Sequence, residues 1–355
     1  MHDSDKMRIV TPQKQQPIAK EQIMKYSTLH KTSFFLTFTI MVAVVTTAMA
    51  QGPRRGIFGD WNITTQFGER PFESILEFSQ GAEGSLKGSW ITFFGLTELK
   101  DVKYEDNQLS FTQTFRGREG ETTSKFSGVI EEGKLTGTLS SDRGESEVAG
   151  KRAPRISRAV GGWAMKIKVG EREFTGTLNI KSDSGGDLVG KWSSQRGEQE
   201  VDALAYSRGE LSFTRTIKTQ DNEWESAFKG NIRGNAITGV STSDRGEAEM
   251  VGERIGGAAI GTWNLDLASE RGSRSQRLRI NADMSALYGS SAIDKITLGG
   301  NQLSFRYAVQ FGDREFESDF QGRIDGDTLT GELTTSQGAR KVTGKKVVSS
   351  FRRRR

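Results

Sequence analysis

Three copies of one pattern run from about residue 58 to residue 347, and an internal repeat of that length constrains the fold more than any composition does. Gly59-Asp60-Trp61 returns as Gly161-Gly162-Trp163 and Gly261-Thr262-Trp263. Leu109-Ser110-Phe111 returns as Leu211-Ser212-Phe213 and Leu303-Ser304-Phe305. Phe126-Ser127-Gly128 matches Phe228-Lys229-Gly230 and Phe320-Gln321-Gly322. Leu135-Thr136-Gly137 matches Ile237-Thr238-Gly239 and Leu329-Thr330-Gly331. Residues 109–152 and 211–254 share 20 of 44 identities without a gap, and the first two copies are offset by 102 residues throughout. The third is shorter, with 40 residues from Trp to Leu-Ser-Phe in place of 48, and most of that loss is expected at Trp192–Glu198.

Each copy reads as strands. Trp163, Met165, Ile167 and Val169 alternate with Ala164, Lys166 and Lys168, the period of two that marks a half-buried strand. Leu178, Leu188, Val201, Leu211, Phe228, Ile237 and Met250 place seven more strands in the second copy, and no window of ten shows helical periodicity. Ser141-Asp142-Arg143-Gly144 and Ser243-Asp244-Arg245-Gly246 put glycine where a three-residue hairpin loop needs a left-handed residue. Eight short strands in about 95 residues form an up-and-down meander with two edges to hide, and closure into a barrel removes both. The expected fold is therefore all-β, three tandem eight-stranded up-and-down barrels over 58–153, 160–255 and 259–347. A six-bladed propeller is the alternative, because Gly190 and Gly197 echo Gly239 and Gly246 at 49 residues, although Gly-x-Trp opens three units and not six.

The ends of each copy carry the candidate site residues. Trp61 precedes Arg152 by 91 residues, and Trp163 precedes Arg254 by the same distance. Each arginine shares strand parity with inward positions, so it can cover the indole and close one barrel end. In the third copy Lys346 stands opposite Trp263, and the Trp90/Trp192 position reads Ser290 or Ser291. A Gly-x-Trp on strand one and an Arg on the last strand resemble the lipocalin and avidin-like (calycin) barrels. The wider pattern is similar to uncharacterised repeats of secreted proteins of environmental bacteria. The resemblance spans nearly all of residues 58–347 and implies fold; calycins as a group often bind small apolar molecules, but no ligand-contact motif is matched.

Composition changes at about residue 50. Both histidines (His2 and His30) lie upstream, and all 42 glycines lie from Gln51 onward, roughly twice ordinary usage there. The chain has no Cys, so residues 51–355 offer no disulfide, zinc finger, Ser-His-Asp or Cys-His nucleophile, or His-ligated haem. A basic stretch from Met24 to Lys31, an apolar run from Phe34 to Val45 and the motif Ala48-Met49-Ala50 make residues 24–50 a signal peptide cleaved between Ala50 and Gln51. Residues 1–23 read as an extension from a mis-assigned start, 51–57 as a linker and 348–355 as a basic tail. An uncleaved anchor is the alternative; Ser33–Ala50 falls at the short end of a membrane span. After cleavage no transmembrane span is expected, and the product is periplasmic or extracellular.

Candidate chemistry is sparse. Glu145/Glu147, Glu198/Glu200 and Glu247/Glu249 are paired two apart but read as solvated surface. Ser182–Asp187 and Asp325-Gly326-Asp327 carry oxygens without the spacing of a calcium loop and read as turns. Trp90, Trp192 and Trp224 read as core, and Arg352–Arg355 as a tail without the interleaved aromatics of a nucleic-acid binder. No cofactor or metal and no nucleic-acid partner is expected. The favoured function is a non-catalytic binding protein of the bacterial cell envelope. The runner-up is a carrier of a small apolar ligand, since inward Gly128, Gly137, Gly230 and Gly239 leave a cavity or merely permit strand coiling. An enzyme comes last.

Overall fold

A computed structural model describes residues 56–67, 70–81, 84–117, 120–218, 222–269, 272–311 and 314–347. The expected signal peptide with Ala50 and Gln51, most of the linker and the basic tail lie outside the described residues. Every regular element among those described is a strand. The first repeat holds β1 (Gly59–Phe67), β2 (Arg70–Gln80), β3 (Leu86–Ile91), β4 (Leu96–Glu98), β5 (Lys100–Glu105), β6 (Gln108–Gly117), β7 (Gly120–Glu131), β8 (Lys134–Ser141) and β9 (Gly144–Arg152). The second holds β10 (Gly161–Val169), β11 (Arg172–Ser182), β12 (Leu188–Ser194), β13 (Gly197–Ser207), β14 (Glu210–Lys218), β15 (Glu223–Arg233), β16 (Ala236–Ser243) and β17 (Gly246–Arg254). The third holds β18 (Gly261–Ser269), β19 (Gly272–Ile280), β20 (Ala286–Tyr288), β21 (Ser291–Ile293), β22 (Lys295–Gly299), β23 (Gln302–Phe311), β24 (Arg314–Asp325), β25 (Thr328–Thr335) and β26 (Gly338–Lys346).

The pairing is antiparallel and sequential, and the first strand of each repeat also pairs with its last: Trp61 faces Arg152, Trp163 faces Arg254 and Trp263 faces Lys346. The second repeat is a closed eight-stranded barrel. In the first and third, the fourth strand is divided, and each sheet counts nine strands with its ends at β4 and β5 or at β21 and β22. The cause is visible in β13, which pairs with β12 up to Val201 and with β14 from Asp202, bending at Ala203 with φ +50°. Asp101 bends alike at φ +53°, and there the strand is divided at Leu99, whose N–H still bonds the Gly88 carbonyl; in the third repeat it is divided at Asp294. Sheets of eight or nine strands exclude four-stranded propeller blades.

Three sequence expectations need correcting: the loop lengths, the residue at the Trp192 position, and the placing of most of the third copy's loss at Trp192–Glu198. The hairpins at Ser141–Gly144 and Ser243–Gly246 have two-residue loops, not three, because Ser141 pairs with Gly144 and Ser243 with Gly246. Gly144 and Gly246 start the returning strand at φ +117° and +112°, a conformation that other residues rarely adopt. Nor do Ser290 and Ser291 occupy the Trp192 position. Leu178 faces Trp192 and Leu278 faces Tyr288, so Tyr288 does. The eight missing residues are divided equally: the Leu-to-aromatic spacing falls from 14 to 10, and the hairpin pair Trp192/Gln199 becomes Tyr288/Ser291.

Each repeat has its own buried core, led by a fully buried Trp61, Trp163 or Trp263. Replacing such an indole by alanine costs about 3–5 kcal/mol. Above it, Phe126 stacks on Phe111 at 4.7 Å, Phe228 on Phe213 at 4.9 Å and Phe320 on Phe305 at 4.8 Å between centroids. The ring of Phe126, Phe228 or Phe320 lies over a facing glycine pair, Gly128/Gly137, Gly230/Gly239 or Gly322/Gly331 respectively. A methyl group at Gly230 would stand 2.5 Å from Phe228 Cζ and 2.6 Å from the Thr238 carbonyl. These glycines make room for phenylalanine.

Candidate functional site

The residues singled out by sequence come together at one end of each barrel. The Arg254 guanidinium lies 3.9 Å from the Trp163 ring centroid and donates to the Val160 and Arg158 carbonyls at 2.5 Å each. Arg152 stands 5.1 Å from Trp61 and donates to the Gly56 carbonyl. Lys346 stands 5.1 Å from Trp263 and donates once, to the Ala258 carbonyl at 2.8 Å. Burial lowers the pKa of all three basic groups. The indole N–H of each Trp donates to the carbonyl four residues earlier: Trp61 to Ile57, Trp163 to Ala159 and Trp263 to Ala259, at 2.9, 2.9 and 2.8 Å. The lead-in segment is thus folded beneath its own barrel. Sequence parity suggested the stacking, with the arginines bonding nearby carbonyls, but nothing in the spacing revealed the bonds from the indoles.

The remaining candidates separate. Trp90 and Trp192 are buried, whereas Trp224 is half-buried with Arg245 3.8 Å from its ring. Glu198 is exposed, and its hydrogen bond from Lys191 at 3.1 Å holds its carboxyl below the usual range. Asp183 turns its Oδ1 onto the amides of Gly185 and Asp187, both at 2.9 Å, satisfying its own loop. No group of three metal-ligating side chains is found among the described residues.

Two arrangements escaped the sequence reading. The first joins repeats one and three. Arg279 pairs with Asp60 and, at 3.6 Å, with Glu77, while Arg277 reaches Glu77 at 3.4 Å and Asn264 at 2.5 Å. All four charged side chains are at least four-fifths buried. Fully buried Gln276 donates to the carbonyls of Thr92 and Phe93, so a turn of the first repeat is held against β19. The corresponding positions in repeat two, Gly162 and Asn179, carry no charge. Periodicity marks outward positions as solvated, which is why these were unreadable. The second arrangement is inside barrel two. Arg215 faces the interior, 8% exposed, and stacks at 4.1 Å over Trp192, whose indole occupies the space beside Gly176.

No protein-family model and no curated protein matches the chain. Among solved structures, similarity reaches a Bacteroides fragilis protein described as a "putative outer membrane protein", at 13% identity over 56% of this chain and 98% of that one, TM-score 0.22. It also reaches a transferrin binding protein B mutant from Haemophilus parasuis, at 9% identity over 82% and 75%, TM-score 0.19. A Nostoc punctiforme protein of unknown function matches at 11% identity over 82% and 97%, TM-score 0.14. Overlaps this small carry no functional statement, and the fold rests on the strand pairing. No helix among the described residues is long and apolar enough to cross a membrane.

Proposed function

We propose that the chain is an exported, non-catalytic binding protein of the bacterial cell envelope, a scaffold of three packed barrels that presents fixed surfaces to a partner. The ion network of Asp60, Glu77, Arg277 and Arg279 carries this reading. A tandem array tied only by short linkers reorients freely, whereas buried charges between two repeats define one relative placement and hence one composite surface. The lack of His and Cys from Gln51 onward agrees with a non-catalytic role. Phenylalanine rings over the glycine pairs occupy space that a general carrier of apolar ligands requires.

The test is sedimentation with isolated envelope fractions of the producing cell. The exported protein is expected to bind one fraction saturably, and the paired change Asp60→Asn with Arg279→Gln is expected to weaken that binding. Non-saturable association with every fraction contradicts the proposal.

A further inference from the structure

Arg215 of the second barrel is a buried cation without a counter-charge. Its Nε has no hydrogen-bond partner, and no carboxylate among the described residues pairs with it. Burial pushes the guanidinium down to about 10, which leaves it charged at neutral pH. Buried charges are normally paired, because removing an ion from water is costly. A stack on one indole face offsets only part of that cost.

The surroundings say what completes the site. Arg215 lies one layer above the Phe213–Phe228 stack, toward the barrel end opposite Trp163. Its cross-strand partner is Ser226, whose hydroxyl is bonded to that of Ser241, the residue facing Phe228, so two buried hydroxyls lie in and just beneath the Arg215 layer. Beyond it, the inward-facing parity of β10 and β11 continues to Val169 and Phe174, which are 48% and 45% exposed. That end of the barrel thus sets two exposed apolar side chains outside a buried cation. The other barrels differ at the Arg215 position. The first has Gln113 and the third has Tyr307, which packs at 4.6 Å against Tyr288. In the third, moreover, the Thr92–Phe93 turn bonds Gln276, the counterpart of Gly176.

We infer that the mouth of the second barrel binds a small amphipathic anion. Its carboxylate-type head seats on Arg215 with the Ser226–Ser241 hydroxyls nearby, and its apolar body lies along Val169 and Phe174. A planar oxyanion suits this position because a guanidinium offers several donors in one plane. The inference deepens the binding reading by giving one barrel a ligand class, and it fails separately, since envelope binding by the composite surface does not require Arg215.

The probe is decanoate, below its micelle concentration, titrated calorimetrically into the protein as the cell processes it, with decanol and decyltrimethylammonium as controls. One decanoate per chain is expected, with decanol and the cation each weaker by at least about tenfold, the worth of one charge-assisted bond. Arg215→Met, which keeps the aliphatic stem, is expected to lose the same factor while binding envelope fractions unchanged. If that variant fails to fold, Phe174→Glu at the exposed rim is expected to weaken decanoate through repulsion. Decanol binding as tightly as decanoate, undiminished decanoate binding by either variant, or no saturable heat overturns the inference.

Discussion

Arg279 and Glu77 occupy the same place in their repeats, each on the second strand between the residue facing the opening Trp and the residue facing the opening Gly, yet they meet as an ion pair. Equivalent positions of two copies are therefore in contact with opposite charges. A chain of identical copies would bring like charges together there, so divergence at this position joins repeats one and three and leaves repeat two, with Asn179, outside the contact. Removing one partner of a buried pair costs about 3–5 kcal/mol, because the other charge is left unpaired. Arg279→Ala is expected to destabilise the chain by that order and to speed hydrogen exchange in both β2 and β19. Faster exchange confined to β19 contradicts the contact.

The barrel-end geometry ranks the repeats. Arg254 stacks closer than Lys346 and makes two carbonyl bonds against one. Arg254→Lys in a fragment spanning 158–256 is expected to lower stability by about 1–2 kcal/mol, and Lys346→Arg in 257–350 to raise it similarly. Denaturant midpoints that stay unchanged in both pairs mean these groups do not close the barrels.

Gly230→Ala is expected to destabilise the second barrel by about 1–3 kcal/mol through overpacking against Phe228. Phe228→Leu in the same chain should recover part of that loss, since it removes the ring atom the methyl meets. Strictly additive losses would place the strain on the Thr238 carbonyl instead.

Arg215 has a pH signature. Its folded pKa is lowered by burial to about 10, well below the ordinary guanidinium value, so between those two values the unfolded chain binds more protons than the folded one. Stability contributed by this residue therefore rises with pH through that window and is lowest at neutral pH. The difference in unfolding free energy between the unliganded parent and Arg215→Met should move in the parent's favour from pH 9 to about 12. A flat difference means the arginine is already compensated when folded.

Signal processing at Ala50 is checked by mass spectrometry of the exported protein, whose N-terminus is expected at Gln51. A mature species retaining Phe34–Val45 indicates an anchor.

Much of the fold was legible because alternation in strands such as Trp163–Val169 is a local signal, and because the copies repeat hairpin glycines such as Gly144, Gly246 and Gly338. The Trp–Arg stacks were legible for the same reason: parity assigns a face. What failed was local or long-range in an unrepeated way. The third copy's shortened hairpins could not be aligned without pairing, so Tyr288 was missed. The roles of Gly230 and Gly239 depended on where Phe228 lay, and the Arg279–Asp60 contact spans repeats whose outward faces alternation labels only as polar. Arg215 was hidden by its charge, since inward parity at Leu211 and Phe213 gives no reason to expect a cation two residues on.

A double-mutant cycle on Asp60→Asn and Arg279→Gln tests most directly whether the first and third repeats form one body. If the two are in buried contact, the unfolding free energies of the single and double variants should show a coupling of about 1 kcal/mol or more. Additivity within about 0.3–0.5 kcal/mol, the behaviour of distant sites, would show that the repeats are not joined there.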